Sequence, residues 1–148
     1  MKKVKKKWIY LIIAVLVVCA VGWTVPHLAP VYSAEFILPD VDQLQYPVTA
    51  SARGTGYTVD GSETIQQIME ILDSRRYRKK AFFEPVNAGA TDKVIFGKLA
   101  DGRAFRIAVG SVNIFVTVDD GAEQRYSCGE AYDGKQIEQL IVQSHPQN

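Results

Sequence analysis

Between Lys93 and Cys128 the sequence is cut at near-regular intervals by turn residues: Asp101-Gly102, Gly110-Ser111 and Asp119-Asp120-Gly121. The pieces between them, Lys93–Leu99, Arg103–Val109, Val112–Val118 and Glu123–Cys128, are rich in β-branched and aromatic residues. Short apolar runs parted by two- or three-residue turns suit antiparallel strands, because a parallel crossover needs about a dozen residues or more. The spacing predicts a four-stranded meander. In its third strand Val112, Ile114, Val116 and Val118 fall on one face, with Asn113, Phe115 and Thr117 on the other. Side chains alternate across a strand, so the first set is the expected core face.

Other elements join this meander. Leu44, Tyr46, Val48 and Ala50 alternate with Gln45, Pro47 and Thr49, which predicts a strand. Pro47 cannot donate a ladder hydrogen bond, so an edge position is expected. Thr55–Val59 follows the Arg53-Gly54 break as a further strand. A helix should then open at Asp60 or Ser62, with Glu63 in the first turn, and end near Ser74–Arg76. Ile65, Ile68, Met69 and Leu72 give it one apolar stripe, widened by Ile71. A second helix is expected over about Asp133–Ser144, with Ile137, Leu140 and Ile141 facing inward and a frayed tail beyond. Residues 36–148 thus read as one α+β domain, a small antiparallel sheet with two helices packed on one face. No repeat or low-complexity tract interrupts it.

The formal charge of +1 hides an uneven distribution. Of 17 Lys and Arg, five (Lys2, Lys3, Lys5, Lys6, Lys7) lie in the first seven residues. Without them 12 bases face 16 acids, so the body is mildly acidic. Trp8–Val25 follows as 18 residues without a charge, ended by Pro26. A helix of that length rises about 27 Å, close to the ~30 Å bilayer core. Residues 8–25 are therefore expected to be a transmembrane signal-anchor helix, with Trp8, Tyr10 and Trp23 at the membrane interfaces. The lysines place residues 1–7 in the cytoplasm and the body outside, at the cell membrane. Residues 26–35, with two prolines, read as a tether. The competing expectation is a cleaved signal peptide and a secreted body, although 18 apolar residues exceed the usual core of such peptides. Lipidation at Cys19 is disfavoured by Val17 and Val18 before it.

Chemistry is sparse. His27 and His145 have no carboxylate or cysteine at ligand spacing, so no metal, cofactor or His-based catalysis is expected. Gly54-Thr55-Gly56 lacks the third glycine and the following helix of a dinucleotide loop. Asp119 and Asp120 read as turn residues. Cys128 reads as a buried thiol, with reactivity the alternative. The outstanding motif is Arg75-Arg76-Tyr77-Arg78-Lys79-Lys80. Its bland reading is a solvated helix end and loop. Its functional reading is a patch of Arg75, Arg76, Arg78, Lys79 and Lys80 for an anionic lipid, a wall polymer or an acidic protein. Nucleic acid is not expected at the predicted location.

Phe36-Ile-Leu-Pro-Asp-Val-Asp-Gln-Leu-Gln45 and the helix Ile65-Gln-Gln-Ile-Met-Glu-Ile-Leu72 resemble an uncharacterised Gram-positive family of small secreted or membrane-tethered, lipoprotein-like domains. The likeness covers most of residues 36–141 and implies no activity or catalytic residue. The expected function is a membrane-anchored extracytoplasmic binding or interaction module without enzymatic activity. The alternatives are a small envelope hydrolase using carboxylates around Asp40, Asp42 and Glu84, or an accessory subunit of a membrane complex.

Overall fold

A computed structural model describes residues 2–28, 30–80, 93–131 and 134–146. Contacts divide the chain into two units, residues 1–30 and 31–148. The first unit is a helix, α1 (Lys2–Leu28), which takes in the lysine head and runs past Pro26. Its side chains are described over residues 8–21, and all of these are exposed within the chain. Among the described residues no helix is long and apolar enough to cross a membrane. This corrects the expectation of a transmembrane helix over 8–25 with Trp8, Tyr10 and Trp23 at its interfaces. The Trp23 side chain lies outside the described residues.

The second unit starts inside the expected tether. There β1 (Val31–Tyr32) leads to a short helix, α2 (Ala34–Ile37), and a 3₁₀ turn over Val41–Gln43. Then come β2 (Leu44–Ala52), β3 (Thr55–Val59), α3 (Ser62–Asp73) and β4 (Tyr77–Lys80). The chain continues with β5 (Lys93–Leu99), β6 (Ala104–Val109), β7 (Asn113–Val118), β8 (Gln124–Cys128), α4 (Gly134–Val142) and β9 (His145–Pro146). The described strands form one antiparallel sheet in the order β1-β4-β8-β7-β6-β5-β2-β3-β9. The sequence led to six strands. The additional three, β1, β4 and β9, are two to four residues long. Segments that short carry no alternation to read and become strands only through a neighbour. The tail expected to fray supplies β9, which pairs with β3 through His145 and Thr58.

The meander β5-β6-β7-β8 forms with the expected turns. Gly102 takes φ +89°, a conformation that glycine adopts without a Cβ penalty. Asp101 accepts from Arg103 N–H at 3.0 Å and from Arg103 Nε at 2.7 Å, which fastens the same turn. The edge position expected for β2 is wrong, since it lies between β5 and β3. Its register with β5 shifts between Gln45 and Thr49, and its pairing with β3 starts only at Val48. Pro47, which has no N–H, occupies the gap, so an interior strand tolerates it.

α3 and α4 cover one face of the sheet. Ile65, Ile68 and Leu72 of α3 and Ile137 and Ile141 of α4 are fully buried, as their stripes predict. They meet Ala50, Ile95, Ile107, Ile114 and Val116 in a single core. Ile114 and Val116 lie on the β7 face that the sequence assigned inward. Gly61 rather than Asp60 or Ser62 stands at the α3 N-cap, with no side-chain bond. The closing helix begins at Gly134, and Asp133 lies outside the described residues.

Candidate functional site

The basic hexapeptide is not one patch. After Ser74 caps α3, the chain turns and enters β4, and the alternation of that strand parts the charges. Tyr77 and Lys79 project to the helix-covered side, Arg78 and Lys80 to the other. Tyr77 is fully buried, and its hydroxyl donates to the Leu72 carbonyl at 2.7 Å. Burial, with smaller contributions from the neighbouring Cys128 and Asp73, holds its phenol proton well above the usual tyrosine range. Arg75 turns back, with one guanidinium nitrogen 3.2 Å from the Ala131 carbonyl, and Arg76 and Lys79 are exposed. Of the expected five residues, Arg78 and Lys80 share one face of β4 and Lys79 takes the other.

The sheet gathers a different set of cations. Lys80 lies directly opposite Arg125, and Arg125 opposite Phe115. Phe115 pairs with Ala108, and Ala108 with Val94. Residues two apart on a strand share a face, so Arg78, Lys98 and Arg106 fall on this side as well. Five bases from β4, β5, β6 and β8 thus share the face opposite the helices. Glu123 stands at its rim, 3.2 Å from Arg125 and 3.9 Å from Arg106. Strands β2 to β8 together hold seven bases, Lys79 and Lys93 being the other two, and no acid. The described acids of this unit lie in its helices, turns and connections. Phe96, 43% exposed, adds an aromatic ring to the basic face.

The helical side carries the opposite chemistry. A groove of about 550 Å³ runs between residues 34–41 and α3. Leu38, Val41 and Met69 supply apolar walls, and Phe36 stands beside them 80% exposed. Glu35, Asp40, Glu70 and Asp73 line it too, and no base does. Asp73 positions the groove, since its Oδ1 accepts from Ala34 N–H at 2.9 Å and Glu35 N–H at 3.4 Å. Asp40 Oδ1 accepts from Asp42 N–H at 3.2 Å and so opens the 3₁₀ turn. The sequence showed Met69 as part of a core stripe. Only the placement of residues 34–41 across α3 turns it into a groove wall.

The remaining candidates separate. Asp40 lies on the groove, Asp42 is exposed in the 3₁₀ turn, and Glu84 lies outside the described residues. Cys128 is buried, its thiol 3.0 Å from the Glu130 carbonyl, and burial is the main cause raising its pKa. His145 stands 3.8 Å from Asp60 at an exposed edge beside a second hollow of about 400 Å³. Among the described residues no group of three or more His, Cys, Asp or Glu is placed to hold a metal ion. No family model, curated protein or solved structure matches this chain.

Proposed function

We propose that this chain is a non-enzymatic binding module whose sheet face opposite α3 and α4 takes an anionic partner. One observation carries the reading: Arg78, Lys80, Lys98, Arg106 and Arg125 come from four strands onto one face of a sheet whose strands β2 to β8 hold no acid. Clustered cations of this kind raise the local concentration of anions and steer them to the surface. An acidic protein face, an anionic lipid surface and a wall polymer share the required chemistry.

The test uses the full chain with the five head lysines replaced by Ser, so that they do not dominate. Retention on a column of sulfated polysaccharide is measured against salt. Replacing Arg78, Lys98 and Arg106 with Ser should lower the eluting salt concentration clearly, because exposed charges are screened over ~10 Å at 0.1 M salt. Replacing Lys79, which lies off this face, should change it less. Equal shifts for the two variants would remove the reading.

A further inference from the structure

The acidic groove between residues 34–41 and α3 faces the helical side and has no use in the reading above. We propose that it is a docking site for a cationic amphipathic segment of a partner protein, with an apolar side chain in the groove and Lys or Arg on its rim.

Three observations select this occupant. The first is the apolar lining. Leu38, Val41 and Met69 form the walls, and Phe36, 80% exposed, is the most exposed large hydrophobic among the described residues of the second unit. Exposed aromatic side chains beside a concave apolar surface are common anchors of protein interfaces. The groove volume of about 550 Å³ suits a few side chains of a short segment rather than a large ligand.

The second is charge. Glu35, Asp40, Glu70 and Asp73 share the groove, and none of them pairs with a base among the described residues. Elsewhere on the surface carboxylates do find partners, such as Glu138 with Arg53 at 2.8 Å and Asp101 with Arg103 at 2.7 Å. Four carboxylates around one apolar opening repel anionic ligands and leave cations as the complementary charge.

The third is rigidity. Asp73, from the last turn of α3, binds the first two N–H groups of α2, so the two sides of the groove are fastened together. Ala34, Ile37 and Leu38 are buried beneath it. A preformed groove spares a ligand part of the ordering cost of association. The known mode with these features is a short segment laying apolar anchors in a groove, with basic residues on its flanks.

The experiment uses the full chain and a labelled synthetic peptide of about eight residues, two Leu flanked by Lys, read by fluorescence anisotropy. Two control peptides replace Lys with Glu or Leu with Ser. The Leu/Lys peptide should bind, the Leu/Glu peptide should not, and the Lys/Ser peptide should bind at least ~10-fold more weakly. Phe36→Ser and Glu70→Lys alter exposed side chains and should each weaken the Leu/Lys peptide by roughly 10-fold, whereas the Arg78/Lys98/Arg106 variant should not. The proposal is overturned if the Lys/Ser peptide binds equally well, or if neither groove variant changes the affinity. It is also overturned if Phe36→Ser instead dissolves a self-association of the chain in sedimentation, or abolishes binding to zwitterionic vesicles. Those outcomes would make a second copy or a lipid the occupant.

Discussion

The Tyr77 hydroxyl donates a 2.7 Å hydrogen bond to the carbonyl of Leu72. It joins the first residue of β4 to the last turn of α3, across the four residues in which the chain reverses from helix to strand. Leu72 and Tyr77 are both fully buried. The bond satisfies a polar atom inside the core and fixes the direction in which the basic segment leaves the helix. The alternation of Arg78, Lys79 and Lys80 between the faces then follows from the pairing of β4 with β8.

Tyr77→Phe should therefore destabilise the fold by about 1 kcal/mol, the net worth of one hydrogen bond, because the Leu72 carbonyl keeps the Arg75 N–H at 3.2 Å. Tyr77→Ala should cost about 3–5 kcal/mol through the cavity it leaves. Urea titration with unchanged slope would establish both values as changes in stability.

Stability should also fall at alkaline pH. The folded protein holds the Tyr77 proton more tightly than the unfolded chain does, where the phenol ionises near pH ~10. This contribution is fully present below that pH and is lost as the pH rises toward the higher folded value. Cys128, raised in the same direction by burial, adds to the loss from its unfolded pKa near ~8.5 upward. Denaturant midpoints measured between pH 8 and 11 should decline less steeply in Tyr77→Phe than in the parent.

Gly97 faces the helix-covered side of β5. A Cβ built there would lie 3.2 Å from the Phe105 ring and 3.2 Å from Val48 Cγ1. Gly97→Ala requires those neighbours to yield a few tenths of an ångström, and Gly97→Val more. Overpacking of this kind costs about 1–3 kcal/mol, so the valine variant should melt at clearly lower temperature than the alanine variant. A thermal scan showing no difference would contradict this packing.

The two cysteines should react unequally. Cys19 is exposed on α1, whereas Cys128 is buried against the Glu130 carbonyl with its thiolate disfavoured. An alkylating reagent at neutral pH should modify Cys19 at least ~10-fold faster in the native protein, and the two rates should converge in urea. Mass spectrometry of tryptic peptides at timed intervals gives both rates.

At the Asp101-Gly102 turn, Gly102→Ala places a Cβ at φ +89°. The expected loss is about 1 kcal/mol or more, measured by chemical denaturation, since alanine does not adopt this conformation without strain.

Sequence alone determined the local parts of this protein. The turns of β5 to β8 follow from Gly and Asp chemistry between alternating runs, and the buried faces of α3 and α4 follow from their apolar spacing. The segregation of charge was half visible: the bases of the hexapeptide stood out, but the partition of Arg78 and Lys80 from Lys79 needed the pairing of β4 with β8. A four-residue strand with three cations has no apolar alternation, so only its neighbours make it a strand. The same holds for β1, hidden in an apparent tether, and for the interior position of β2, which a register shift at Pro47 permits. The apolar run at the N-terminus suggested a membrane span by its length, and the described helix does not supply one. The two surfaces proposed for binding depend on residues 30 or more positions apart, such as Asp73 with Ala34 and Lys80 with Arg125. Periodicity reports which residues of one element share a face. Which elements then meet is decided by register and packing over the whole sheet, and that is where both surfaces arise.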